Sequence, residues 1–193
     1  MEESRVRCAL FPLPVMPLPG ERLHLHVFEP RYQELFNQLE GMELEEFGIP
    51  CMHDGKPSGA GGMMRLIYVE KRWPDGCRDV VVECTGVFRV DPETPFSPAD
   101  GTTYPAGQIA VVKGWKDWPT PVGTAAEAAK GTTPREGAWM AWVRKLPLGP
   151  EQRAFFVQER NPRRRNGLVL EALRIHDLVL AQERQRTGPW FPN

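Results

Sequence analysis

The sequence predicts an α+β chain. A small, partly open antiparallel barrel carries one early helix and is followed by a helical carboxy-terminal part. Three observations predict it. Residues 10–39 pass from a proline-spaced apolar segment, through an alternating stretch, into a helical stripe. Residues 63–90 hold two strand-like runs around Pro74-Asp75-Gly76. Beyond Gly137 the apolar period changes from two to about 3.6 residues.

Taken in order, residues 10–18 carry Pro12, Pro14 and Pro17. Proline brings no N–H to a ladder, so this segment pairs on one side or runs along an edge. Pro19-Gly20 is a turn signal. From 23 to 28, Leu23, Leu25 and Val27 alternate with His24, His26 and Phe28, the period of a strand. Pro30 suits the first helical position, and Tyr32, Leu35, Phe36 and Leu39 make one apolar stripe, with Gly41 as a C-cap.

Residues 46–52 form a short strand interrupted by Pro50, and the glycine-rich 53–62 read as a loop. In 63–71, Met64, Leu66 and Tyr68 fall on one face, and Met63, Ile67 and Val69 on the other. Pro74-Asp75-Gly76 turns the chain into the partner strand 78–90, where Gly86 marks a bulge or bend. A last strand lies in 104–115.

Prolines and glycines from 116 to 137, around an alanine-rich island at 124–130, read as a linker between a barrel part, 1–115, and a helical part, 138–193. Trp139, Trp142, Val143 and Leu146 give one helical stripe, ended by Pro147. Pro150 opens a second helix, with Ala154, Phe155 and Val157 as buried positions. Asn161-Pro162 opens a third, to about 186, with Leu168, Ala172, Ile175 and Val179 as its stripe, widened by Leu173 and Leu180.

The order LFPLP…PG…LHLHVFEPRY resembles the start of the Lon amino-terminal domain family. Its carriers are Phe11, Pro12, Leu13, Pro19, Gly20, Leu25, His26, Phe28, Glu29, Pro30, Arg31 and Tyr32. A second stretch of likeness runs through Gly62, Ile67, Gly76, Val82, Gly86, Phe88, Arg89 and Val90, with Val87-Phe88 where an Arg-Phe pair is commoner. The family includes the substrate-engaging domain of the ATP-dependent Lon protease, a domain of cereblon, and short bacterial proteins holding this domain alone; the likeness is to the short kind. The resemblance implies a PUA-like β pseudobarrel followed by a carboxy-terminal helical bundle, and a non-catalytic module that engages unfolded polypeptide or a protein partner.

Composition narrows the function. Hydrophobic residues make up 41% and charged residues 25%, which fits a folded soluble protein. The net charge of -1 gives no overall pull towards nucleic acid or acidic membranes. No apolar run reaches membrane-spanning length and the amino terminus lacks a secretion signal, so a cytoplasmic protein is expected.

Cys8, Cys51, Cys77 and Cys84 contain no C-x-x-C pair, so buried free thiols are the plainer reading and no metal is expected. Asp54-Gly55-Lys56-Pro57-Ser58-Gly59-Ala60-Gly61 resembles the context of the Lon protease serine, but Lys56 and Gly59 break the match, and no protease-domain context follows. A serine nucleophile needs a base held in reach, so a glycine-rich loop is preferred for Ser58. Pro50 and Pro57 spoil a phosphate-binding G-x-x-x-x-G-K-[ST], and neither cofactor nor ATPase is expected. His24 and His26 have a spacing seen in metal ligands; a pair packed beside Phe28 is the plainer reading. Arg163, Arg164 and Arg165 open a helix against its dipole, and an acidic partner such as Glu159 would offset them. No catalytic residue is assigned.

Large apolar side chains on exposed segments mark contact surfaces. Trp115, Trp118, Trp190 and Phe191 are therefore the candidate protein-contact residues, the alternative being that they fold back on the body and cap it. The competing reading is a PUA-like RNA-binding protein, or a small-molecule enzyme, using the His24/His26 face or the arginine cluster.

Overall fold

The computed structural model describes residues 3–91, 93, 95–98, 101–118, 140, 143–144, 146 and 148–186. Its centre is a mostly antiparallel sheet of seven strands: β1 (Glu3–Ala9), β2 (Arg22–Val27), β3 (Phe47–His53), β4 (Lys56–Arg72), β5 (Arg78–Arg89), β6 (Ser97–Pro98) and β7 (Pro105–Val112). The main order is β1-β7-β5-β4-β3, with β2 added on β5 and β6 on β7. The described helices are α1 (Pro30–Glu40), α2 (Pro150–Gln158) and α3 (Pro162–Arg186), with a 3₁₀ turn at Trp115–Asp117.

The proline-spaced segment lies where its missing donors cost least. After β1, Leu10 bridges to Gly48 and Leu13 to Cys51 in parallel. Phe11 N–H donates to the Gly48 carbonyl and Leu13 N–H to Pro50. The donors are therefore the non-proline residues, and they run the segment beside β3, joining the two ends of the strand order.

α1 closes the core on one side. Glu29 is extended (φ -72°, ψ 132°) and Pro30 follows at the helix start. The expected stripe of Tyr32, Leu35, Phe36 and Leu39 is buried, packed with Phe11, Phe47, Val80 and Val82. Phe11 meets Tyr32 edge-on, ring centroids 4.1 Å apart. Gly41 is the C-cap, its N–H on the Asn37 carbonyl, but it stays right-handed; the left-handed residue is Met42, at φ 59°.

Residues 53–62, expected as a loop, are strand from Lys56 onward. The turn is only Asp54-Gly55, both at positive φ (47° and 77°), the pairing a two-residue hairpin needs. The glycines serve close approach rather than flexibility. A Cβ on Gly62 would stand 2.6 Å from Pro17 Cγ, and one on Gly61 would collide with Phe88 and the Ile49 carbonyl.

The β4–β5 hairpin turns at Pro74-Asp75-Gly76, with Gly76 at φ 88° and the Asp75 carboxylate accepting from Cys77 N–H. At Gly86 the register steps from Met63↔Gly86 to Met64↔Cys84, so the expected bulge is present. A second core cluster, containing Leu10, Phe88 and Ile109, lies where β5, β7 and the end of β1 meet. The β1–β7 pairing, Glu3↔Val112 to Ala9↔Ala106, joins residues about 100 apart and has no local signal in the sequence.

The chain forms two compact units. One holds 1–115 and 149–158; the other holds 116–148 and 159–193. α2 packs on β3, β4 and β5, although the sequence groups it with the helical part. Its buried positions are Ala154, Phe156 and Val157, whereas Phe155, expected inside, is 51% exposed. Ala154 and Val157 thus face the sheet as expected, and Phe156 takes the place of Phe155. In α3, Val169 is buried, while Ile175 and Val179 of the expected stripe are exposed. Among the described residues no helix is long and apolar enough to cross a membrane.

Candidate functional site

Aromatic side chains that reach solvent gather on the outward face of β2, β5 and β4 and on the residues just beyond the ends of β2 and β4. In this part of the sheet β5 is central: His24 and Tyr68 both pair with Val81, and His26 and Lys71 both pair with Asp79. Directly paired residues share a face, so His24, His26, Tyr68, Lys71 and Asp79 project together.

Tyr68 reaches this face because of a bulge. Leu66 pairs with Val82 and Tyr68 with Val81, so two steps along β4 answer one step along β5. Leu66 packs on the core, while Tyr68 turns outward and is 48% exposed. The sequence placed both on one face, since a bulge of this kind leaves no local mark.

At the end of the face an aromatic group forms around His26. Phe28, 60% exposed, stacks with His26 at 6.0 Å between centroids. Trp73 meets His26 edge-on at 5.4 Å, and the Lys71 ammonium sits 4.5 Å from the Trp73 centroid. Asp75 in the adjoining turn is held below the usual carboxylate range, first by Cys77 N–H and to a smaller extent by His26.

Polar side chains on the face are paired with each other. His26 Nδ1 lies 2.7 Å from Asp79, His24 Nδ1 lies 3.4 Å from Glu70, and Arg22 donates to Glu83 at 2.9 Å. No group of three or more His, Cys, Asp or Glu suited to a metal occurs among the described residues. The arrangement presents ring faces bordered by paired charges, which suits an apolar or aromatic ligand surface.

The residues singled out from sequence are placed differently. Trp115 is half-buried, its indole nitrogen near Gly86. Trp118 is only 5% exposed, with the Arg165 guanidinium 3.6 Å from its ring centroid. Trp190 and Phe191 lie outside the described residues, as do Trp139 and Trp142. Phe28, Tyr68 and Trp73 are not among the contact residues expected from sequence; the signal available was an aromatic on the histidine face and another beside the turn.

The chemical alternatives also find their places. Ser58 Oγ donates to the Cys51 carbonyl at 2.9 Å, and Gln158 donates to the Ser58 carbonyl. The serine thus sits in a hairpin strand with its proton committed. Of the arginine cluster, Arg165 is buried and donates to the Glu159 carbonyl, while Arg163 and Arg164 are exposed. Asn161 Oδ1 caps α3 by accepting from Arg163 N–H at 2.9 Å.

No family model and no curated protein matches the chain. Solved structures do. A Lon N-terminal domain protein from Xanthomonas campestris is similar at 26% identity and TM-score 0.66, over 86% of this chain and 98% of its own. The N-terminal domain of a Lon protease from the Mycobacterium avium complex shares the fold at TM-score 0.55 and 11% identity, over 86% of this chain and 97% of its own.

Proposed function

We propose that this chain, a member of the Lon amino-terminal domain family, is a non-catalytic protein-interaction module that engages unfolded segments or a partner protein through apolar surface. The observation that carries the reading is the outward face with exposed Tyr68 and with Phe28 and Trp73 around His26, on a fold shared with Lon amino-terminal domains. Binding by such a face needs no bond to be made or broken and no ATP; ring area and shape supply the free energy. Trp115, Trp190 and Phe191 are offered as further contacts, and the PUA-like pseudobarrel and helical bundle as the finer description of the fold. Cytoplasmic residence is part of the proposal, supported by four free cysteines.

The test is titration of the full chain with reduced, carboxymethylated lactalbumin, which cannot refold, and with native lactalbumin as control. Saturable binding of the unfolded form alone, persisting at about 0.5 M salt, supports an apolar contact. Absence of binding defeats the engagement of unfolded segments and leaves a specific protein partner; cleavage of the unfolded protein defeats the non-catalytic reading.

A further inference from the structure

The sheet leaves two strand edges without a partner next to the aromatic face. β4 pairs with β3 only from Lys56 to Met64, and nothing described pairs with its outer side beyond that. β2 pairs with β5 alone, along all six of its residues. Among the described residues, no other backbone group bonds to 22–27. The open groups on β2 can be identified. Cys84 exchanges backbone hydrogen bonds with Gly20 and Glu21, so alternation turns Leu23, Leu25 and Val27 towards β5. The N–H and C=O groups of Arg22, His24 and His26 project to the side on which no described strand pairs.

The two edges are built differently. The β4 edge carries Arg65, Glu70, Lys71 and Arg72 and is broken by bulges, the features that block strand pairing. The β2 edge is regular over six residues, with no bulge, proline or lysine. The β2 edge, short and carrying exposed Arg22, is thus the less obstructed of the two.

An unpaired edge offers directional donors and acceptors that only an extended chain satisfies. A second copy fits poorly. Every antiparallel self-pairing through the open groups sets Arg22, His24 or His26 opposite another of these three, so no apolar pair and no pair of opposite charge forms across it. We propose that β2 binds an extended segment of an unfolded polypeptide as an added strand, with apolar or aromatic side chains of that segment seated beside His26 and Phe28. The inference rests on the proposed function and names its mode: backbone hydrogen bonds hold any extended sequence, and the aromatic group selects among side chains.

The test follows amide hydrogen exchange in the full chain, with and without carboxymethylated lactalbumin, together with affinity for His24→Pro. Proline at 24 removes an open N–H and leaves the bonds to β5 intact. The expected result is exchange slowed about tenfold or more at Arg22, His24 and His26 but not along 66–72, with affinity at least about tenfold weaker in H24P. The exchange measurement on the unaltered chain stands even if H24P does not fold. Binding without protection of 22–27 overturns the added strand and leaves the proposed function intact. Absence of binding overturns the added strand together with the engagement of unfolded segments. Protection of 22–27 that grows with protein concentration alone assigns the edge to a second copy and overturns the inference.

Discussion

The Arg78 guanidinium donates to the Asn37 side-chain oxygen over 2.7 Å and to the Glu40 carboxylate, fastening the start of β5 to the last turn of α1. Arg78 is buried, and burial lowers its pKa below that of a free guanidinium. Glu40 also accepts from Arg72, which is largely exposed. A buried cation is tolerated because its counter-charge and an amide oxygen both reach it.

This network yields a contrast. Glu40→Ala leaves Arg78 buried without its counter-charge and is expected to cost roughly 3 kcal/mol. Arg72→Ala removes only an exposed partner and should cost less than about 1 kcal/mol. Urea midpoints at unchanged slope measure both; equal losses would contradict the assigned roles.

Gly61 and Gly55 lie in one hairpin and should respond differently to alanine. At Gly61 a Cβ has no room against Phe88 and a backbone oxygen, so G61A is expected to destabilise by about 3 kcal/mol or prevent folding. Gly55 has open space and pays only for φ 77°, about 1 kcal/mol. Thermal melting of the two variants checks the order.

Stability should fall on the alkaline side. Burial pushes the Cys8 thiol from its ordinary 9.0 up to about 12, with a smaller effect of Glu46, and burial also raises Cys51. The folded chain keeps protons that the unfolded chain loses. Stability is therefore full below pH 9 and declines between 9 and 12, about tenfold in the folding equilibrium per pH unit for a thiol that stays protonated. Denaturant melts from pH 7 to 11 should show this slope, and C8A should make it shallower.

Phe28→Ala and Tyr68→Ser test the outward face. Both side chains are substantially exposed, so folding stability should change by no more than about 0.5 kcal/mol. Binding of carboxymethylated lactalbumin should weaken about fivefold or more for each. Unchanged affinity in both would exclude this face as the contact surface.

The sequence by itself determined the local features. Pro30 with the stripe of Tyr32, Leu35, Phe36 and Leu39 specified α1; Pro74-Asp75-Gly76 specified the long hairpin; Pro150 and Pro162 marked two helix starts. Each is a steric or periodic property of a few neighbouring residues, so it is written where it acts. Only the tertiary structure decided the pairing of β1 with β7, the outward turn of Tyr68, the strand nature of the glycine-rich segment and the burial of Trp118. These depend on what lies across the sheet or under Arg165. A bulge reverses which face a side chain takes, and a distant partner decides whether a tryptophan is surface or interior. The candidate site was legible only in its histidine row, because the rings beside it are gathered by register and not by spacing.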